Sequence, residues 1–391
     1  MRIRFSLKLL LGVLISICLL LGWLSSRIPH CRAVEKLSQI GVKITWMRKT
    51  PSWLGKKLGL WRLDRVKSVY YVGGSDTDFS MIRDLNYLEE FSTFECLEID
   101  YQPLLHHANT IRYLGLDPYP IEPETFYSHF ENLEDLLINR DTDLSQLSHL
   151  KKLKSIRYYN WANSDFKHIA AFKNLEHAGL HRTRIKSTKP LSQLKKLRTL
   201  ILDGCQQLED ISSVGQLPHL RELSLDGCYK LTDLSPIAEC KNLEILALPP
   251  TGKFSLPTDL VKLKELHSLL NFLDPNDLAV LGHFPELEHL NLDWSRVKQF
   301  DGVELDLKLL REKNNLKYLC ACRITDSDDL ARFPNLRKLI IRDSVIKNAD
   351  SIRNLSKLKM LILSRCEFSN EVLNELQSRS YPDGFRYYRK Q

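Results

Sequence analysis

The sequence predicts an α/β solenoid: short parallel strands on one face, 3₁₀ turns or short helices on the other. Two near-copies carry the first indication. LRTLILDGC at residues 197–205 returns as LRELSLDGC at residues 220–228, each ending in a cysteine. The second observation is the frame behind them, an apolar residue followed by apolar residues three and five places later. The third is a looser run after each frame, such as Leu208, Ile211, Val214 and Leu217, whose spacing of about three suits a 3₁₀ turn.

The frame is clear at Leu197, Leu220, Leu243, Leu287, Leu336 and Leu358, and backward at Leu175, Leu153, Leu133 and Ile111. Weaker copies start at Val66, Leu88, Leu266 and Leu316. Fourteen starts result, and every step is 20 to 23 residues except one of 29 between Leu287 and Leu316, which holds an insertion after Trp294. Alternation at the third and fifth places makes each start a short strand with one buried face. One such unit cannot bury its own apolar face, so the units must stack. Leu200, Leu223, Leu246 and Leu290 are then core residues.

This frame resembles the leucine-rich repeat in its short form, over residues 66–378. The resemblance implies a curved horseshoe with a parallel sheet on its concave face, and no particular chemistry. The eighth place holds Cys205, Cys228 and Cys366, and elsewhere Thr183, Thr251, Ser295 and Ser344. In leucine-rich repeats this slot carries a small donor bonded to backbone inside the turn. A Cys205–Cys228 bridge stays open as an alternative, since strands about 4.8 Å apart lie within disulfide range. A zinc site lacks further ligands, because no CxxC or spaced His pair is present. Cys320 and Cys322 belong to a strand and are expected on its concave side.

Ahead of the array, residues 1–8 are a basic flank with Arg2, Arg4 and Lys8. Leu9 to Ser26 is an uncharged apolar run of 18 residues closed by Arg27. That length suits a transmembrane helix, and Trp23 and Leu24 stand where a cleavage motif requires small residues, so an uncleaved signal-anchor is favoured over a cleaved signal. Flanking cations are nearly balanced, leaving orientation open with a lean toward an extracytoplasmic array.

Residues 27–65 form a basic juxtamembrane segment and cap, with a helix over Ala33–Ile40, a strand over Gly41–Trp46 and a helix over Pro51–Leu58. Residues 379–391 are a closing cap, with a helix at Asn370–Gln377 before it and a strand at Phe385–Tyr388 within it. The whole arrangement resembles bacterial membrane-anchored leucine-rich-repeat proteins.

Net charge is +8, yet residues 1–67 alone carry +12, so the array itself is mildly acidic. A nucleic-acid-binding array is disfavoured on that ground. The basic segment with Trp46, Trp53 and Trp61 fits either anionic headgroups or a solvated cap. Nucleophile elbows, phosphate loops and HExxH are absent from the sequence, and no metal or cofactor is expected. Function is therefore sought on the concave face, at the second, fourth and sixth places. The candidate residues are Arg157, Tyr159, His177, His181, Asp203 and Asp226, with Tyr159, His181, Asp203 and Asp226 forming the sixth-place row. Two functions compete: a membrane-tethered, non-catalytic scaffold for a protein or peptide, and an extracytoplasmic adhesion component for wall or matrix polymer. An enzyme is the third and weakest class.

Overall fold

The computed structural model describes residues 29–47, 65–74, 78–96, 99–117, 123–139, 144–159, 166–249, 256–267, 280–292, 304–310 and 313–388. The chain divides into two compact units, residues 1–156 and 157–391. The apolar run at residues 9–26, the expected helix over Pro51–Leu58, the insertion after Trp294 and the slots of Thr251 and Ser295 lie outside the described residues. Among the described residues no helix is long and apolar enough to cross a membrane.

The first unit opens with helical residues 29–39 and strand β1 (Lys43–Met47), close to the expected cap. β1 runs antiparallel to β2 (Arg65–Gly74), while β3 (Glu90–Cys96), β4 (Tyr113–Leu116) and β5 (Asp135–Asn139) continue in parallel. Third-place residues pair strand to strand, Val69 with Phe91, Phe91 with Leu114 and Leu114 with Leu136. The weak early frames are explained by what fills the core behind them. Tyr71, Phe79, Phe91, Tyr101 and Phe126 form a chain of ring contacts at 5.4 to 6.3 Å, edge-on for most of its length. Such edge-on contacts suit aromatic quadrupoles, and the rings take the volume that leucines take elsewhere.

The division falls within β6 (Ser155–Tyr159). The second unit carries β7 (His177–His181), β8 (Thr199–Ile201), β9 (Glu222–Ser224), β10 (Ile245–Ala247), β11 (Glu265–His267) and β12 (His289–Leu292). β13 (Tyr318–Cys322), β14 (Lys338–Arg342), β15 (Met360–Ser364) and β16 (Gly384–Tyr388) follow. From β7 to β16 each strand pairs in parallel with the next. Short 3₁₀ turns such as Val214–Gln216 and Ser235–Glu239 occupy the return path. The expected terminal elements are present as the helix Asn370–Ser378 and β16. This is a leucine-rich-repeat-like solenoid. The core leucines Leu200, Leu223 and Leu246 are fully buried and Leu290 is 1% exposed.

One expectation needs correction. Leu266 is not a repeat start. It pairs with Leu246 and Leu290, both third-place residues, so the repeat starts at Leu263, itself fully buried. The steps around it become 20 and 24 residues. Neither frame has an apolar fifth place, Ser268 in one and Asn271 in the other, so strand pairing decides between them. Cys320 and Cys322, at the fourth and sixth places of the Leu316 repeat, are both buried, and the Cys322 thiol donates to the Leu292 carbonyl at 3.6 Å.

The eighth-place slot works as a backbone cap. The thiols of Cys205, Cys228 and Cys366 donate to the carbonyls of Leu180, Leu202 and Ile341, at 3.0, 3.2 and 3.3 Å. Each acceptor is the fifth-place carbonyl of the preceding repeat, a buried group that needs a donor. Thr183 donates to the Leu180 carbonyl at 3.3 Å, and Ser344 accepts from the Ile324 amide at 3.1 Å. Cys205, Cys228 and Cys366 form no disulfide.

The residue before the slot has a left-handed backbone. Among the described residues five non-glycine residues have positive φ, Glu95, Arg182, Arg323, Asp343 and Arg365, and all stand at the seventh place. Gly73, Gly204 and Gly227 occupy the same place with φ of 75, 72 and 71°. The kink swings the eighth residue inward while the seventh amide still bonds across. Arg182 donates to the Asp203 carbonyl at 2.7 Å, Gly204 to that of Asp226 at 2.6 Å and Arg365 to that of Tyr388 at 2.8 Å. The DGC triplets are thus one device: an acid on the open face, a left-handed hinge and an inward donor.

Polar ladders stitch the surface. Glu134 receives Arg112 at 2.7 Å and Lys154 at 2.5 Å, and Glu244 receives Arg221 at 3.2 Å and Lys264 at 2.8 Å. These pairs are half-exposed and individually weak, so they guide register more than they hold it.

Two outcomes follow for stability. A Cβ on Gly227 would stand 3.0 Å from the Gly204 Cα, whereas one on Gly73 meets nothing within 4 Å. Gly73→Ala is expected to cost about 1 kcal/mol, the left-handed penalty alone, and Gly227→Ala clearly more. Denaturant midpoints compare them, and equal losses would contradict the stacking of Gly227 on Gly204. Cys228→Thr is expected to cost about 1 kcal/mol because a donor of similar size is kept, and Cys228→Leu more. Burial pushes the Cys205 and Cys228 thiols up and the Cys240 thiol to about 12, so all should react with a thiol reagent only on unfolding. Two thiols missing from the denatured, non-reduced count at Cys205 and Cys228 would reveal a bridge instead.

Candidate functional site

Side chains at the second, fourth and sixth places point away from the core, as alternation requires. In the second unit the sixth-place row lies along the ends of consecutive strands. The Tyr159 and His181 rings stack with centroids 4.6 Å apart and planes within 6°. His181 Nδ1 lies 3.9 Å from a carboxylate oxygen of Asp203. The Ser224 hydroxyl donates to the other Asp203 oxygen at 2.5 Å. Asp226 follows at the next sixth place.

Gly179 shapes this corner. A Cβ there would stand 3.0 Å from His181 Nε2 and 3.4 Å from Arg157 Cγ. Its missing side chain is the space over which Arg157 and His181 fold. His177 sits at the second place, exposed, in register with Thr199. It takes no part in the described contacts of the row. Four of the six expected residues, Tyr159, His181, Asp203 and Asp226, therefore form the row itself, Arg157 flanks it and His177 stands apart.

The electrostatics run in opposite directions at the two ends. Partial burial holds the His181 imidazole below its ordinary value, with Asp203 only partly offsetting the loss of hydration. Burial and the neighbouring Asp203 both raise the Asp226 carboxyl. The row therefore offers a stacked, neutral aromatic pair beside two crowded carboxylates, an arrangement suited to a cationic or hydrogen-bonding group of a partner. Among the described residues no group of three or more His, Cys, Asp or Glu side chains is placed to hold a metal ion.

A second open-face cluster was not anticipated. His267 Nε2 lies 3.3 Å and His289 Nδ1 3.9 Å from the Glu265 carboxylate. The His289 ring lies 5.7 Å from that of Tyr318, and the Lys338 ammonium stands 5.2 Å over the same tyrosine. A start at Leu266 assigns the open-face places to residues 268, 270 and 272, which hides Glu265 and His267. With Leu263 as the start they fall at the second and fourth places.

No protein-family model matches the chain, and no curated protein matches it. As a structure the chain is similar to an internalin of Listeria monocytogenes, with a TM-score of 0.49, 19% identity, and coverage of 83% of this chain and 87% of that one. A leucine-rich-repeat protein of Leptospira interrogans gives a TM-score of 0.45 at 20% identity, covering 74% of this chain and 87% of that one. Internalin C2 of Listeria monocytogenes gives 0.40 at 22% identity over 48% of this chain and 81% of its own.

The His181 shift has a checkable sign. Its folded-state value lies below the unfolded one, so its contribution to stability is present above the ordinary histidine value, about 6.5, and is lost as pH falls from there through the lower folded-state value. In an NMR titration His181 should titrate below that value. Asp203→Asn should lower it further, because the attraction of the carboxylate is removed. A rise in Asp203→Asn would contradict the assignment of Asp203 as the neighbouring charge.

Proposed function

We propose that this chain is a membrane-tethered, non-catalytic scaffold that binds a protein or peptide partner on the open face of its second unit. The observation that carries this reading is the row Tyr159, His181, Asp203 and Asp226. Tyr159 and His181 are held by their stacking and Asp203 by the Ser224 hydroxyl, so these side chains have little conformational entropy left to lose on binding. Aromatic and charged groups held on a rigid surface are common anchors of protein interfaces. The cluster of Glu265, His267, His289, Tyr318 and Lys338 extends the same kind of surface.

The tether rests on the sequence of Leu9 to Ser26, an apolar run of membrane-spanning length with Trp23 near its end. The repeats are proposed to lie on the extracytoplasmic side. A reporter fused to the C-terminus reads that side directly, and activity of a cytoplasm-only reporter would reverse it.

Affinity capture with the full-length protein tests the binding surface. A partner recovered in stoichiometric amount should fall at least tenfold with Tyr159→Ala combined with Asp226→Asn, while thermal melting of the variant stays near the parent's. A protein retained equally by parent and variant, or recovery of polymer alone, would remove this reading of the row.

A further inference from the structure

In the first unit, outside the row described above, the open face is hollow. A cavity of about 320 Å³ lies over β1 to β4, within the lower range of small-ligand pockets. Its lining is unusual in chemistry. It includes the hydroxyl-bearing residues Thr45, Ser68, Tyr70, Ser92 and Tyr113, beside the carboxylate of Glu90. Register explains the gathering: Thr45 pairs with Ser68, Tyr70 with Ser92, and Ser92 with Gly115, so second- and fourth-place side chains of adjacent strands come together.

Three details indicate a built site. Ser92 is only 8% exposed and lines the cavity, so what its side chain exposes faces the cavity. A hydroxyl placed there can give and accept a hydrogen bond to a group that enters the cavity. Next, a Cβ on Gly115 would stand 2.9 Å from both the Ser92 and Tyr113 hydroxyl oxygens, so two hydroxyls converge over a position that glycine keeps empty. Last, the Tyr70 ring is 43% exposed at the wall of the cavity, with Phe94 46% exposed at the sixth place of the next strand. Exposed rings beside a hydroxyl-lined floor make an amphipathic wall.

We propose that this cavity is a saccharide-binding site. A hydroxyl is both donor and acceptor and rotates its proton to suit, so hydroxyl-lined walls match a ligand whose own polar groups are hydroxyls. The Thr45 and Ser68 hydroxyls already share one hydrogen bond at 2.6 Å, in which either serves as donor. Glu90 is bound to Lys67 at 2.7 Å, so its charge is neutralised and its remaining lone pairs accept from ligand hydroxyls. A polyanion would call for a cluster of cations, whereas Lys43 is the cavity's one ammonium. The apolar face of a sugar ring packs on Tyr70, and its hydroxyls meet Ser92 and the Thr45–Ser68 pair. The inference does not depend on the protein-binding reading of the second unit.

The test uses the full-length protein and two probes, chitotetraose as a neutral oligosaccharide and tetragalacturonate as an acidic one. Saturation-transfer NMR and titration calorimetry should detect chitotetraose, and tetragalacturonate much more weakly or not at all. Tyr70→Ala and Ser92→Val should each weaken that binding at least tenfold with melting close to the parent's, while Asp203→Asn leaves it unchanged. Absence of chitotetraose binding, or preference for tetragalacturonate, overturns the proposal. So does binding that persists in Tyr70→Ala and Ser92→Val, which would place the sugar elsewhere. The Asp203→Asn arm separates this site from the row of the second unit, whose failure as a protein-binding surface would leave the saccharide result standing.

Discussion

Each unit of this protein depends on one constraint: parallel strands about 4.8 Å apart must lay each third-place side chain against its equivalent in the next repeat. In the second unit that line runs through Leu200, Leu223, Leu246, Leu266 and Leu290. Once those positions are stacked, every other place in the repeat is stacked too. The fifth-place carbonyl is carried to where the eighth-place thiol of the following repeat can cap it. The seventh amide meets the sixth carbonyl. Polar side chains outside the core fall into ladders of unlike charge. None of these contacts alone sets the fold, and each is possible only because the apolar register is already decided.

The same constraint produces the candidate surfaces. Stacking forces neighbouring repeats to present side chains at one strand spacing whether or not they suit each other. Where they suit, the result is the Tyr159–His181 stack or the Lys338–Tyr318 contact. Where they do not, the misfit persists, as with the carboxylates of Asp203 and Asp226. A repeat fold can hold such misfits because the core behind them is uniform and deep. The misfits also mark where a ligand gains most, since a partner that relieves repulsion adds a favourable term absent from the free protein.

Much of this was legible in the residues. The frame is written in large apolar side chains at fixed spacing, and core volume leaves little choice there. The sixth-place row was legible for the same reason, because adjacency follows from register. What escaped notice escaped for physical reasons. Seventh-place residues share a backbone angle and no side-chain type: Glu95, Arg182 and Asp343 adopt it beside Gly204 because cross-strand hydrogen bonding holds it. The aromatic spine of the first unit replaces leucine by larger rings, which blurs the frame while keeping the volume. The hydroxyl cavity is assembled from four strands, and no local stretch announces it.

The misplaced start at Leu266 shows where sequence reasoning on repeats is fragile. Sliding the frame by three leaves the predicted fold unchanged, because Leu266 is buried under either assignment and the strand still lies within a few residues. The functional reading changes completely, since a shift by an odd number exchanges the open and buried faces of a strand. Glu265 and His267 move from a concealed position to the centre of a polar cluster. Apolar pattern therefore constrains the architecture redundantly, over many repeats, whereas each surface group is fixed by one repeat's register alone. Evidence about what such a protein binds must be sought at that resolution, strand by strand, after pairing has removed the ambiguity that two equally apolar frames leave.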